Sequence, residues 1–76
     1  MKLPNRETLI SIRHSYPVGA RVELLHMDDE QAPPIGTRGT VINVDDIGTV
    51  HVMWDNGSTL GAVWKEDRIT RVFDKT

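Results

Sequence analysis

The sequence lacks cysteine, and it also lacks any long run of apolar residues. Without cysteine the chain can form no disulfide, thiolate metal site or cysteine nucleophile. No segment approaches the roughly 18 consecutive apolar residues that indicate a membrane-spanning helix. The opening MKLPNRETLI also lacks the apolar run of a signal peptide. We therefore expect a soluble, cytoplasmic protein with no membrane partner.

The chain is also short. Its 76 residues suffice for one domain, near the lower limit of what a single hydrophobic core can stabilise. Ordering each residue costs roughly 1.5 kcal/mol of conformational entropy, which in so short a chain nearly cancels the gain from apolar burial. We therefore expect a monomer or a weak homodimer, in which an N-terminal helix or an unpaired sheet edge would bury further surface.

Positive charge is scarce in the middle of the chain. The net charge is -2, but residues 22–67 hold nine acidic side chains and two basic ones, whereas both ends of the chain are basic. Folding is expected to bring the basic ends against the acidic middle. An acidic surface repels a phosphate backbone, so nucleic acid is the less favoured partner.

A helical pattern stands at the start of the chain. Asn5 can cap a helix, because its side-chain oxygen can accept a hydrogen bond from a free N–H group of the first turn. Leu9, Ile12 and Tyr16 follow at spacings of three and four, and Pro17 ends the helix. A helix of about three turns is marginal alone, so its apolar face is predicted to pack on the domain; docking on a partner or a second copy is the alternative.

After the helix, apolar residues alternate with a period of two, which is typical of half-buried strands. The first predicted strand is ARVELLH, with Val22 and Leu24 on the buried face, and the second is GTVINVD, with Thr40, Ile42 and Val44 on one face. The segment between them, MDDEQAPPIG, is predicted to be a long loop, because two adjacent prolines and three acids disfavour regular structure.

The third predicted strand, TVHVMWD, shows the clearest alternation. Val50, Val52 and Trp54 share one face and are predicted core residues, with the Trp54 N–H bonded to a local partner. Asn56 and Gly57 follow as a pair typical of a type I′ hairpin turn. The remaining prediction is a fourth strand in STLGAVW, one helical turn in KEDRI and a last strand in ITRVF.

These elements predict a mainly β protein: a small five-stranded SH3-like barrel preceded by one short N-terminal α-helix. The predicted boundaries are 1–17 for the helix packing on the barrel, 18–73 for the barrel and 74–76 for a tail. Trp64 lies where the fourth strand meets the charged turn. Two interpretations of it stay open: a lid over the end of the core, or an aromatic side chain that contacts a partner.

The run PIGTRGTVINVDDIGTVHVMWDNGSTLGAVWKEDRITRV, with PVGARVELLHM before it, resembles a family of small uncharacterised bacterial proteins that also occur in phages and other mobile elements. The family pattern is G-T-x-G-T-V, an acid-rich turn and W-D-N-G-S, and the resemblance covers residues 16–72. A weaker resemblance connects the same strand and turn positions with the SH3-like repeats of the mind bomb and HERC2 ubiquitin ligases, which take part in peptide recognition. KOW-type barrels, some of which bind RNA, are more distant. These resemblances imply an SH3-like fold more firmly than they imply a function.

Residue types that carry catalytic or metal-binding chemistry are scattered. The three histidines lie in three different predicted elements, without the spacing of a metal site. The acidic loop lacks the alternating ligands and central glycine of an EF-hand. Asp45, Asp46 and Asp55 are predicted to bond the backbone of their own turns. We therefore expect no enzyme activity, no metal and no cofactor.

The sequence favours a non-enzymatic binding module with a protein as its partner. The loop between the first two strands is longer than a compact barrel requires, and loops on rigid scaffolds commonly carry function. Its acids would favour a basic partner and speed the encounter with it. The predicted contact residues are three loop acids, one arginine after the loop and the strand-end tryptophan: Asp28, Asp29, Glu30, Arg38 and Trp64.

Two other functions stay open. One is nucleic-acid binding by an SH3- or KOW-like barrel, if the chain ends meet and bring five arginines together: Arg6, Arg13, Arg21, Arg68 and Arg71. The other follows from the resemblance to phage proteins: an acidic inhibitor that occupies the basic groove of a host nucleic-acid enzyme.

Overall fold

The computed structural model describes residues 3–73, and its first element is the predicted helix. Helix α1 spans Arg6–Ser15, and the Asn5 side chain caps it by accepting a 2.8 Å hydrogen bond from the Thr8 N–H. At the other end the Tyr16 N–H donates to the carbonyl of Ile12. The predicted cap and end of the helix are therefore confirmed, while the predicted tail at 74–76 lies outside the described residues.

Five antiparallel strands form one sheet around which the rest of the chain is arranged. Their order across the sheet is β4-β3-β2-β1-β5, so β1 lies between β2 and β5. This confirms a mainly β fold with a barrel-like sheet and one N-terminal helix. The strand bounds are β1 Arg21–His26, β2 Arg38–Val44, β3 Val50–Trp54, β4 Gly61–Ala62 and β5 Arg68–Arg71.

The core lies on one face of the sheet, and it contains the residues that the clearest alternation predicts. Val50, Val52 and Trp54 are all buried, and Trp54 is only 1% exposed. The indole N–H of Trp54 donates to the carbonyl of Leu60 at 2.8 Å, which is the predicted local partner. The helix covers part of this core with the predicted apolar face, whose members are partly buried against it: Leu9, Ile12 and Tyr16.

Close packing at the centre of the sheet depends on Gly39 of β2. A Cβ there would lie 2.5 Å from Cγ1 of Val52 and 2.8 Å from the carbonyl oxygen of Met53. Both distances are far below van der Waals contact, and a backbone oxygen cannot move aside cheaply. Glycine therefore lets β2 and β3 approach while Val52 remains fully buried.

The predicted common face of Thr40, Ile42 and Val44 in β2 is wrong, because Val44 is buried and the other two are not. A bulge between Val41 and Asn43 shifts the register against β3, so Val41 and Val44 are buried while Ile42 is 46% exposed. Thr40 is only half-buried. An extra residue in one strand reverses the alternation beyond it, so Val44 lies on the buried face although Thr40 and Ile42 do not.

The hairpin after β3 also differs from its prediction. Gly57 has a φ of +93°, but Asn56 does not have the positive φ that a type I′ turn requires. The Gly57 N–H donates to the Trp54 carbonyl, and the Trp54 N–H donates to the Ser58 carbonyl. The connection is therefore a three-residue loop that ends in a left-handed glycine, and regular pairing resumes only at the two-residue β4.

Folding pairs basic residues near the start of the chain with acids from its middle. Arg13 of α1 donates to Asp46 at 2.8 Å, and Arg21 of β1 donates to both carboxylate oxygens of Asp55 at 2.8 and 2.6 Å. The bonds from Arg21 hold the pKa of the Asp55 carboxyl below its ordinary value. Among residues 3–73 neither carboxylate accepts a backbone N–H, so the predicted turn bonds are wrong for these two acids.

Candidate functional site

An apolar groove opens between α1, the turn after β4, and strands β1 and β5. Its volume is about 260 Å³. It lies at one margin of the core, since some of the residues that line it also belong to or pack on the core. The side chains that matter below are Ile12, Tyr16, Leu25, Val63, Trp64 and Ile69.

Trp64 lies in a turn that is closed by hydrogen bonds between Val63 and the residues after Lys65. The carbonyl of Val63 accepts hydrogen bonds from the N–H groups of Glu66 and Asp67, and the Val63 N–H donates to the Asp67 carboxylate at 2.8 Å. This segment was predicted to be one helical turn; it forms a hydrogen-bonded turn in which Lys65 has a φ of +68°. The turn leaves Trp64 half-buried, so part of its side chain faces solvent.

Gly48, in the turn between β2 and β3, lets the helix and the Trp64 turn come close together. A Cβ at Gly48 would lie 2.9 Å from Cγ of Pro4, 3.3 Å from Cδ1 of Ile12 and 3.5 Å from Cβ of Trp64. The φ of +84° at this glycine also disfavours a side chain. The width of the groove therefore depends on a backbone position without a side chain.

The acidic loop remains separate from the groove. Asp28, Asp29 and Glu30 are exposed, and Asp29 accepts the N–H of Gln31 at 2.8 Å, which stabilises a local turn. The loop is anchored below its acids, where Met27 is buried. The acids therefore form an exposed charged surface, and none of them lines the groove beside Trp64.

Arg38 lies at the start of β2 and is occupied by a neighbouring strand. Its Nε donates to a carboxylate oxygen of Glu23 at 3.2 Å, which matches the pairing of these two residues across β1 and β2. Arg38 is not among the residues that line the groove. The structure therefore does not bring the predicted contact residues Arg38 and Trp64 into one cavity.

The histidines do not assemble a metal centre in the described part of the chain. Within residues 3–73 no three side chains of the metal-binding types are grouped to hold an ion. His14 and His26 are exposed, and His51 lies with its Nε2 2.8 Å from a carboxylate oxygen of Asp45.

Asp45 organises the turn between β2 and β3, as predicted. Its carboxylate accepts the N–H groups of Thr49 at 2.9 Å and Ile47 at 3.1 Å. Partial burial opposes ionisation of this carboxyl, but the hydrogen bonds from His51, Thr49 and Ile47 outweigh it and lower the pKa of Asp45. Stabilising this turn accounts for all of the contacts of the Asp45 carboxylate.

Sequence reasoning missed two parts of the groove. Ile12 and Tyr16 were predicted to pack on the core, with docking on a partner or a second copy as the alternative, and they also line the groove that contains Trp64. Leu25 was not singled out, although it follows Leu24 and thus breaks the alternation of β1 with an apolar residue on the outer face. It is 45% exposed, and that break was the available signal.

No helix within residues 3–73 has both the length and the apolar character needed to cross a membrane.

No curated protein and no solved structure matches the chain. One family does match, over residues 5–72, which include α1 and all five strands. The chain therefore belongs to the family described as a domain of unknown function (DUF4314).

Proposed function

We propose that this protein is a non-enzymatic module that binds another protein through the groove beside Trp64. The observation that carries the proposal is an apolar groove, open to solvent, with a half-buried tryptophan in its wall. Its volume of about 260 Å³ lies below the roughly 300–1,000 Å³ of pockets that enclose a drug-sized ligand or cofactor. The groove thus suits one or two side chains of a partner.

The residues around the groove are of the kind that contribute to protein interfaces. Tryptophan and tyrosine are enriched among residues that dominate binding energy, because they bury much apolar area with few rotatable bonds. Trp64 and Tyr16 both line the groove, and Leu25 adds an exposed aliphatic side chain at its margin. Together they offer a small apolar centre surrounded by polar surface, the usual anatomy of an interface.

The acidic loop supports the same function at longer range. Its acids Asp28, Asp29 and Glu30 are exposed and lie outside the groove. They would attract a basic surface of the partner and raise the association rate, an effect that weakens as salt rises. We also propose that the sheet is a barrel of the SH3 type, since five short antiparallel strands follow a long first loop and the last strand pairs with β1.

Nucleic-acid binding is less well supported by the arrangement of the arginines. Arg13 is paired with Asp46 and Arg21 with Asp55, and Arg71 donates to the carbonyl of Ser15 at 2.8 Å. Three of the five arginines that could form a basic surface are therefore used within the fold. The proposal includes a nucleic-acid enzyme as one class of protein partner.

The test compares two variants that place the same charge on different faces. Leu25 and Ile42 are strand residues with nearly equal exposure, 45% and 46%, but only Leu25 lines the groove. Tagged wild-type protein, Leu25→Lys and Ile42→Lys would be used to capture proteins from bacterial lysate with and without nuclease treatment, with the captured proteins quantified by mass spectrometry.

We expect wild-type and Ile42→Lys to retain the same stoichiometric protein, and Leu25→Lys to retain at least about tenfold less, as for loss of a central interface contact. Equal retention by both variants would exclude the groove as the interface. Retention that disappears on nuclease treatment would replace the proposal with nucleic-acid binding.

A further inference from the structure

We propose that the groove beside Trp64 binds an apolar side chain carried on an acidic segment of the partner, whose carboxylates pair with Lys65 and Arg68. This inference rests on the proposed function and adds the chemistry of the bound segment. It is carried by the position of the two cations, which lie where the apolar groove meets a second, more polar cleft.

The two cavities share Leu25, Lys65 and Arg68. A segment whose apolar side chain fills the groove would therefore pass both cations as it continues into the polar cleft. His26 and Glu66 complete the lining of that cleft. The path thus runs from an apolar site to a polar one, with two cationic side chains at the boundary.

Among the described residues, the two cations at this boundary have no acidic partner, unlike three of the other arginines. Arg13, Arg21 and Arg38 each form an ion pair, whereas within residues 3–73 neither Lys65 nor Arg68 does so. Their charges are therefore available to a ligand, and Lys65 lies within, and Arg68 directly after, the strongly acidic stretch 22–67.

Two acids lie near the same boundary, and they are placed differently. The Asp67 carboxylate lines the groove but accepts the Val63 N–H, so it is already used within the turn. Glu66 lines only the polar cleft. The entrance shared by both cavities therefore presents Lys65 and Arg68, which are the groups that a carboxylate would meet first.

The backbone conformation at Lys65 independently supports a role for this lysine in binding a carboxylate. Its φ of +68° is a left-handed conformation that glycine adopts easily and that other residues adopt at a cost. The turn alone would thus favour glycine. Lysine instead places its ammonium 5.0 Å from the centre of the Trp64 ring, directly beside the groove. An ammonium there contacts the ring with one side and retains N–H groups for a carboxylate.

The test uses synthetic peptides with one central leucine or phenylalanine flanked by glutamates, by serines or by lysines. Each peptide is titrated into isotope-labelled protein, and the backbone amide signals of the groove residues report both the site and the affinity. We expect the glutamate peptides to bind at the groove about fivefold more tightly than the serine peptides, with the lysine peptides weakest. The preference should shrink as ionic strength rises above about 0.15 M.

Two variants locate the preference, and one controls for net charge. Arg68→Glu should remove or reverse the preference for the glutamate peptides, whereas Arg6→Glu, which makes the same charge change at an exposed helix position, should leave it unchanged. Lys65→Gly removes the other cation while easing the turn, so it should weaken glutamate peptides without loss of fold. Dispersed amide spectra would verify folding of all three.

Failure of this proposal is distinguishable from failure of the proposed function. If serine and lysine peptides bind the groove as tightly as glutamate peptides, the acidic segment is excluded while the groove remains a protein-binding site. If no peptide perturbs the groove amides at millimolar concentration, the acidic segment is again excluded. The comparison of Leu25→Lys with Ile42→Lys then decides separately whether the groove binds a protein.

Discussion

The two tryptophans illustrate how position within one small sheet determines the use of a side chain. Trp54 is 1% exposed and its N–H is satisfied by the Leu60 carbonyl, so it serves the core. Trp64 is half-buried and lines the groove, with the Lys65 ammonium near its ring. Packing fully accounts for Trp54, whereas Trp64 leaves part of its aromatic surface open to solvent.

Replacement of each tryptophan by phenylalanine should separate these roles. Trp54→Phe leaves the Leu60 carbonyl without its donor and creates a cavity in the core, so it should lower the free energy of unfolding by about 2–3 kcal/mol. Trp64→Phe is the matched control and should cost less than about 1 kcal/mol. Urea denaturation measures both, and equal losses would show that Trp64 is as much a core residue as Trp54.

Residue burial could be predicted where alternation is uninterrupted and not where the backbone departs from it. Val50, Val52 and Trp54 follow a regular strand, and their burial is confirmed. Ile42 lies at a bulge, and its outward position results from pairing with β3 rather than from local preference. A bulge has no clear signature in this segment, so the pattern of period two led to the wrong face.

At the scale of elements, the turn between β2 and β3 is stabilised by one carboxylate. Asp45 accepts two backbone N–H groups of its own turn and contacts the His51 ring. Because these bonds favour the ionised form, the pKa of Asp45 is lower in the folded chain than its ordinary value. The ionised carboxylate therefore stabilises the fold above about pH 4, and this contribution is lost as pH falls through the folded-state pKa.

Asp45→Asn should accordingly destabilise the protein in a pH-dependent way. We expect a loss of about 1 kcal/mol at about pH 6 that becomes smaller as pH falls below about 4 and through the lowered pKa of folded Asp45. Asp46→Asn, the neighbouring control, removes an exposed ion pair and should have little effect at either pH. A difference between wild-type and Asp45→Asn that stays constant over this range would contradict the account.

Elements governed by local signals were predicted well, whereas those that depend on distant contacts were not. The cap at Asn5 and the stop at Pro17 determine α1 within a few residues of sequence. Strand β4 spans only Gly61–Ala62, which is shorter than its apolar pattern predicts, and the Leu60 carbonyl just before it accepts the Trp54 indole N–H. That bond involves a side chain from another strand, which no local pattern of period two reveals.

For the whole molecule, the position of the helix explains why the groove exists. Helix α1 packs on the core by Leu9, Ile12 and Tyr16, but between it and the Trp64 turn a space of about 260 Å³ stays open. The sequence predicted a helix on a small sheet and left Trp64 with two interpretations. The groove itself could not be predicted, since it arises where four separate segments of the chain meet.

The central claim is that a protein partner enters this groove, and site-specific photocrosslinking in bacterial cells tests it most directly. A photoreactive phenylalanine analogue would replace Leu25 in one variant and Ile42 in the other, two positions of nearly equal exposure. The account predicts a covalent adduct with a single protein from position 25 and none from position 42. No adduct from position 25, or the same adduct from both positions, would contradict it.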